Sequence, residues 1–380
     1  MKTVKFIPTK KIKRGFSFSF ENGAVKRAIS DTNIFHSYPA KFIPQIPEWA
    51  IKYSSLKQKS LILDPFAGSG TTLLQSSLMG HRSVGIDINP LSEVISKAKT
   101  HKLINVNYEI LTDDLKEIIS KTKREKEIKD FIINPEKYNL HFTWNNWFSK
   151  DIMEKILRLK KIILNYNPTN PKLIKDRNVL KNFYLNCFSS MLKKSSYLSE
   201  KEIKVRKDPN KKILNPLLSF EKIVKKNFKL LIILSKEKKK KNVPNPKFHL
   251  ISATKIPDIY KKKVDLIVTS PPYINAIDYT MAHKYNLFSL NLIKAKNFKE
   301  HCREYIGITE RAVLKKNYEN INLTKIHLID NVIKDFIYSK NSVDKIRGFI
   351  IKDYFLQMLE SLKKMHAVLK TDSKCIIIIG

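Results

Sequence analysis

Asp64-Pro65-Phe66-Ala67-Gly68-Ser69-Gly70-Thr71-Thr72 and Thr269-Ser270-Pro271-Pro272-Tyr273 are the two segments whose residue types and spacing could do chemistry. In the first, Gly68 and Gly70 let a ligand approach the backbone because no Cβ intervenes. A helix starting at Thr71 would open with unpaired N–H groups and a positive dipole end, which suits the carboxylate of a methionine moiety as well as a phosphate. Thr71 and Thr72 add candidate hydroxyl donors. The spacing is not G-x-G-x-x-G, which disfavours a dinucleotide site. In the second segment two prolines fix φ and remove two N–H donors, so the turn is stiff and presents acceptors only. An exocyclic amine on a planar base needs such a partner. Its lone pair is delocalised into the ring, and acceptors on its hydrogens favour the pyramidal form that can attack a methyl sulfonium. Ser270 Oγ and the Pro271 carbonyl are the candidate acceptors, and Tyr273 offers a ring face on which any base stacks.

The flanking residues supply the elements that must position these groups. Leu61-Ile62-Leu63 is a short apolar run ending at Asp64, and Ser83-Val84-Gly85-Ile86 is a second one ending at Asp87. Asp87 follows the glycines at roughly the distance where such folds place an acid for ribose hydroxyls. Val264–Thr269 is β-branched and apolar, and the proline pair follows it directly, at the carboxyl end where open α/β sheets bind ligands. Gly-x-Gly alone is an ordinary turn, and Pro-Pro-Tyr alone is a turn or a polyproline ligand. The order strand, acid, glycine turn, helix, strand, acid argues for an α/β, Rossmann-like sheet instead.

On these residues the chain resembles the DNA amino-methyltransferases, which modify cytosine N4 or adenine N6 and often belong to restriction-modification systems. The segment Phe35-His36-Ser37-Tyr38-Pro39-Ala40-Lys41-Phe42-Ile43-Pro44 is similar to the one that precedes the glycine turn in that family and closes over the methionine end of the cofactor. Asn275-Ala276-Ile277-Asp278-Tyr279 and Cys302-Arg303-Glu304-Tyr305-Ile306-Gly307 also match members of this group. The resemblance covers roughly residues 33–100 and 248–380. It implies a Rossmann-like methyltransferase sheet with a helical insertion and S-adenosyl-L-methionine as cofactor. It implies Phe35, His36, Asp64, Pro65, Phe66, Gly68, Gly70, Thr71, Thr72, Asp87 and Ser252 around that cofactor, and Ser270, Pro271, Pro272 and Tyr273 at the target base. Ser at the first position of the Pro-Pro motif is similar to the cytosine-N4 enzymes, where adenine-N6 enzymes more usually have Asp or Asn. Double-stranded DNA is the implied substrate and a cognate restriction endonuclease the implied partner. Adenine N6, methylation of an RNA amine and a non-catalytic nucleic-acid-binding remnant are the alternatives.

Two departures stand out. Ser252 falls where the family often has the Asp of Gly-Asp-Ala against the adenine amine, which predicts weaker cofactor binding. The run Cys375–Ile379 reads as a buried strand where the family continues into a loop and hairpin, so a C-terminally truncated product is expected; a sealed edge strand is the other reading.

The composition fits this frame. A chain of 380 residues with 42% hydrophobic content can build a large α/β core and an extra domain. Its 72 Lys and Arg against 35 Asp and Glu leave a net charge of +37, which we divide evenly between phosphate neutralisation and the Lys, Asn and Ile bias of an AT-rich genome. Cys187, Cys302 and Cys375 form no Cys-x-x-Cys pair, so neither a disulfide framework nor a metal site is expected. No apolar run reaches membrane-spanning length, and a cytoplasmic protein is expected. The expected division is a discontinuous catalytic domain over 1–102 and 246–380, with a helical insert over 103–245 as the candidate target-recognition region. Amphipathic helices are expected over 152–164, 180–192 and 353–362. Trp144, Trp147 and Phe148 read as small-domain core ahead of base-stacking residues. Lys204, Arg206, Lys207 and the run Lys238–Lys241 are candidate phosphate contacts, with a solvated loop as the rival reading of the run. Asp278, Tyr279 and His283 either line the pocket or cap and anchor a helix. The oligomeric state is left open.

Overall fold

The computed structural model describes His36, Tyr38, Pro39 and residues 43–379, except Val106, Phe142, Lys201, Ile203, Lys204, residues 275–277 and Asn320. In chain order the elements are α1 (Gln45–Tyr53), β1 (Leu61–Asp64), α2 (Thr71–Leu78), β2 (Arg82–Asp87), α3 (Pro90–Thr100), α4 (Tyr108–Arg124), α5 (Lys150–Leu164), α6 (Arg177–Lys194) and α7 (Pro216–Lys240). Then come β3 (Lys247–Leu250), β4 (Val264–Thr269), α8 (Tyr279–Ser289), α9 (Phe298–Arg303), α10 (Lys315–Glu319), α11 (His327–Ile337), α12 (Ser342–Val368) and β5 (Leu369–Ile377).

The strands form one all-parallel sheet in the order β3-β2-β1-β4-β5. β1 and β4 lie at its centre, and their apolar runs alternate between its two covered faces. Ile62, Leu266 and Val268 pack with Ala50 and Ile51 of α1 on one face. Leu63, Val264 and Ile267 pack with Met365 and Val368 at the end of α12 on the other. The last strand forms, but it is not the buried strand expected over Cys375–Ile379. β5 begins at Leu369 and pairs with β4 alone among the described residues, and much of it is exposed. An apolar run of Ile residues fits an edge as well as a centre, because periodicity alone does not report the number of neighbours.

Helices α4 to α7 fill the stretch between the motifs, and the amphipathic patterns expected over 152–164 and 180–192 lie in α5 and α6. Their apolar faces do not close on themselves. One cluster joins Leu157, Phe183, Tyr184 and Phe228 to Leu74 of α2, Leu91 and Ile95 of α3 and Phe288 of α8. Trp144 and Phe148 are buried in this cluster, and Trp147 packs against it with its ring 5.6 Å from that of Tyr285. All three therefore belong to the core reading.

The lysine run is corrected. Lys238–Lys240 close α7, and Lys238 is buried, with Nζ donating to the carbonyls of Lys99 (3.0 Å), Thr100 (2.9 Å) and His101 (3.3 Å). It caps the carboxyl end of α3, where a cation meets the negative end of the helix dipole. Burial pulls its pKa down to about 7. Lys238 is thus a helix cap and not a phosphate contact, and Lys238–Lys240 end a helix where a solvated loop was the rival reading, while Lys239, Lys240 and Lys241 are exposed. Lys241 reaches toward Gly80, at the amino end of β2 and away from the carboxyl ends of the strands. Among the described residues no helix is long and apolar enough to cross a membrane.

Candidate active site

The strand order turns at the β1/β4 pair: β2 and β3 extend to one side, β4 and β5 to the other. At such a switch the loops leaving the carboxyl ends part and open a crevice. Asp64 ends β1 and Thr269 ends β4, and the register Ile62↔Leu266, Leu63↔Ile267 brings the two ends side by side. Thr269 Oγ1 donates to Asp64 Oδ1 at 2.6 Å, and Thr72 Oγ1 donates to the Val268 carbonyl at 3.3 Å. The glycine turn and the proline turn are stitched together directly.

Between them lies a cleft of about 680 Å³. Pro65, Phe66 and Gly68 line it from the glycine turn, Asp87 and Ile88 from the end of β2, Ser252 and Ala253 from the loop after β3, and Ser270 and Pro272 from the proline turn. Tyr38, Tyr279, Glu304, Tyr305 and Ile306 complete the wall.

Asp87 shapes this cleft. Its Oδ2 accepts from Gly68 N–H at 2.7 Å and its Oδ1 from Asn89 N–H at 2.8 Å, so one carboxylate fixes the glycine turn and the start of α3 together. Burial raises its pKa to about 6 against the pull of those N–H groups. Asp64 is also raised to about 6 by burial, opposed by its hydrogen bonds from the Thr269 hydroxyl and the Phe66 N–H. A carboxyl raised on folding contributes stability that is complete below its unfolded pKa near 4 and is lost as pH rises through about 6. Each carboxyl then costs about 3 kcal/mol by pH 7, at roughly 1.4 kcal/mol per pH unit. Asp64→Asn keeps an acceptor for Thr269 and never ionises. Its stability relative to the wild type, read from urea unfolding, is expected to improve by about that amount between pH 4 and pH 7.

The two glycines have different jobs. Gly68 has φ +47°, and a Cβ there would sit 3.3 Å from Tyr38 Cε1, a cleft residue, so its bareness keeps the wall open. Gly70 has φ +76° and faces α3, where a Cβ would meet Ser96 Oγ at 2.5 Å. The second glycine therefore serves helix packing, contrary to the expectation that both admit a ligand. Gly70→Ala is expected to cost about 2–4 kcal/mol from left-handed strain plus overpacking, read as a lower urea midpoint.

The remaining expected site residues divide. Thr72 is fully buried and Thr71 nearly so, and neither is on the cleft wall. Asp64 lies behind the wall as the stitch. His36 is buried with Nε2 2.8 Å from Ser189 Oγ on α6, away from the wall; Phe35 lies outside the described residues. Ser252 reaches the cleft, but its oxygen already accepts from Thr254 N–H (3.3 Å) and Oγ1 (2.9 Å). Pro271 is buried beneath Ser270 and Pro272, and the Pro272 carbonyl accepts from Tyr354 OH at 2.9 Å, which pins the turn to α12. Tyr273 is partly buried beside the cleft, its carbonyl facing the bare Cα of Gly307, where φ is +80°. Asp278 is a helix cap, accepting from Met281 N–H and from the hydroxyls of Thr280 and Thr309. Tyr279 is on the cleft wall. His283 is an anchor: its ring lies 4.8 Å from that of Tyr38 and its Nδ1 is 3.1 Å from Asn89 Nδ2.

Tyr38, Glu304, Tyr305 and Ile306 are wall residues to which the sequence reading gave no individual role. Tyr38 lies two residues beyond His36 in the same segment, and the other three lie in the matched Cys302–Gly307 stretch, so the signal was present at segment level. Burial, and then the charge of Asp87, hold the Tyr38 and Tyr305 hydroxyls far above the usual phenol range, so both remain protonated donors.

A parallel sheet with a glycine turn, an acid at the next strand and a ligand crevice at the switch point defines a Rossmann-like α/β protein built to hold a nucleoside-bearing cofactor, and the proline turn beside it fits a methyltransferase. Comparison with known proteins narrows the class. The DNA methylase family of N6 and N4 amino-methyltransferases matches residues 8–98. The chain is 28% identical to the Type II methyltransferase M.MjaII of Methanocaldococcus jannaschii, over 89% of this chain and 79% of that one. It is 26% identical to the Type II methyltransferase M.MvaI of Kocuria varians, over 90% and 75%. It is 30% identical to the Type II methyltransferase M.BsoBI of Geobacillus stearothermophilus, over 68% and 52%. No solved structure matches it significantly. The chain belongs to the DNA amino-methyltransferases of restriction-modification type, and its methyl donor is S-adenosyl-L-methionine.

Proposed function

We propose that this enzyme methylates the exocyclic amine of one base in a specific duplex DNA sequence, that the amine is cytosine N4, and that it works beside a nuclease reading the same sequence. The observation that carries the reading is the stitched pair of strand ends, with Asp64 and Thr269 holding a cofactor-type turn and an acceptor-only turn on one cleft. Ser270 supports cytosine N4 through the resemblance of its motif to that group.

The residues present fit the cofactor. Gly68 leaves the wall bare, Phe66 and Ile88 offer apolar surface, and Asp87 presents a carboxylate to ribose hydroxyls. Ser252 stands on the wall where the resemblance puts the adenine amine, but with its oxygen occupied by Thr254 it offers that amine no free acceptor, in keeping with the weaker binding expected from the missing Asp. When bound, S-adenosyl-L-methionine supplies an electrophilic methyl on a sulfonium. The target base swings out of the duplex at a cost of a few kcal/mol in stacking and pairing. Tyr273 stacks on it, while Ser270 Oγ and the Pro271 carbonyl accept from its amine and aim the nitrogen lone pair at the methyl. Alignment supplies much of the acceleration. No strong base is needed, because the amine proton becomes acidic only once the nitrogen is alkylated. The insert over 103–245 reads the sequence around the target.

Single-molecule sequencing of DNA from cells expressing the chain tests this. N4-methylcytosine in one recurring context is the expected result. N6-methyladenine in one context would overturn the base assignment, and unmodified DNA beside folded protein would overturn the function.

A further inference from the structure

A second cleft, of about 2410 Å³, adjoins the first. The chain passes from one to the other twice: Asp278 lines the second and Tyr279 the first, and Cys302 lines the second while Glu304 and Tyr305 line the first. Its far wall comes from the stretch before α5, with Pro135, Lys137, Asn139, Leu140, His141 and Thr143 among its lining. Its charge is mostly positive: apart from Asp278, the exposed Glu136 is the one carboxylate among its described lining residues. Lys284, Lys294, Lys296, Lys299 and Arg311 line it, and among the described residues none has a carboxylate within ion-pair distance. Lys137 also lines it but is paired with Asp130, and Asp278 is taken up by its three donors. Lys284 is the most informative member. It is partly buried, its ammonium lies 5.6 Å from the centroid of the Phe298 ring, and Arg311 is close enough to oppose its charge. Holding like charges together at a partly desolvated position is unfavourable unless an anion joins them.

We propose that this cleft holds the sugar-phosphate backbone of duplex DNA beside the base pocket, with Lys284, Lys294, Lys296, Lys299 and Arg311 as the phosphate contacts. The inference rests on the functional reading above and deepens it, since it locates the duplex between the insert and the segment after the proline turn. It also removes that role from the lysine run ending α7.

The test is a salt titration of the full chain with a short fluorescent duplex, using the wild type, a triple variant Lys294→Gln/Lys296→Gln/Lys299→Gln, and Arg311→Gln. Each phosphate contact contributes about 0.9 to the slope of log affinity against log salt. The triple variant is expected to lose about 2.7 from that slope, so between 50 and 200 mM salt the wild type should lose roughly 40-fold more affinity than the variant does. Arg311→Gln, a single exposed change, should lose about 1. Lys239→Gln/Lys240→Gln/Lys241→Gln should keep the wild-type slope. Wild-type slopes in both cleft variants, or a larger loss in the α7 variant, would overturn the inference. The slope reads phosphate contact alone. A wild type that binds duplex with a steep slope and transfers no methyl would defeat the functional reading and leave this one standing.

Discussion

Replacing Asp87 with Ala is expected to weaken S-adenosyl-L-methionine binding by at least about 100-fold, because three losses coincide at one carboxylate. The N–H groups of Gly68 and Asn89, now held at 2.7 and 2.8 Å, lose their acceptor. Each buried donor left unsatisfied costs about 1–3 kcal/mol, and the glycine turn loses the contact that sets its shape. The ribose hydroxyls lose a charged acceptor worth about 1.5–3 kcal/mol. Titration calorimetry reads the result. Asp64→Asn is the control, since Asp64 lies behind the cleft wall and is expected to leave cofactor affinity within a few-fold of the wild type. The same carboxylate sets a pH dependence. With its pKa raised to about 6, Asp87 is ionised at pH 7 and protonated at pH 5, so cofactor affinity should fall by roughly tenfold as pH drops through that range. Tight binding by Asp87→Ala, or affinity that does not change with pH, would remove Asp87 from the cofactor site.

The second large effect is expected at the other half of the site. Tyr273→Ala should leave cofactor binding intact while lowering kcat/KM for DNA by roughly 10- to 100-fold, since stacking a base on an aromatic ring contributes about 1–3 kcal/mol. The contrast with Asp87→Ala is what matters. Tyr273 follows the acceptor turn pinned by Tyr354, whereas Asp87 holds the glycine turn, so the two variants should fail at different steps. Equal loss of cofactor affinity in Tyr273→Ala would contradict that division.

Much of the frame was legible in the sequence because its signals are local. β1, β2 and β4 are short apolar runs, each with chemistry at its carboxyl end, and the glycine and proline turns carry their backbone geometry in their residue types. β3, Lys-Phe-His-Leu, was not, because its polar-apolar alternation runs for only four residues, too short to tell an edge strand from a loop. The cleft wall was legible only in part. Tyr38 and Tyr305 come from segments far apart in the chain, and it is the tertiary fold that makes them neighbours of Asp87. Lys238 was misread for a related reason. A run of lysines signals solvent or phosphate, and nothing local reports the three carbonyls at the end of α3 that take its ammonium. Gly70 shows the reverse case, in which the residue was noted correctly and its reason lay in Ser96 on the next helix.

The central claim is that the glycine turn and the proline turn are two halves of one catalytic site. Incubating the purified chain with methyl-tritiated S-adenosyl-L-methionine and either duplex DNA or structured RNA tests it most directly. The account predicts label in DNA, none in RNA, and a transfer at least about tenfold slower in both Asp87→Ala and Tyr273→Ala. Label in RNA alone, or none in any nucleic acid from a chain that binds the cofactor, would contradict it.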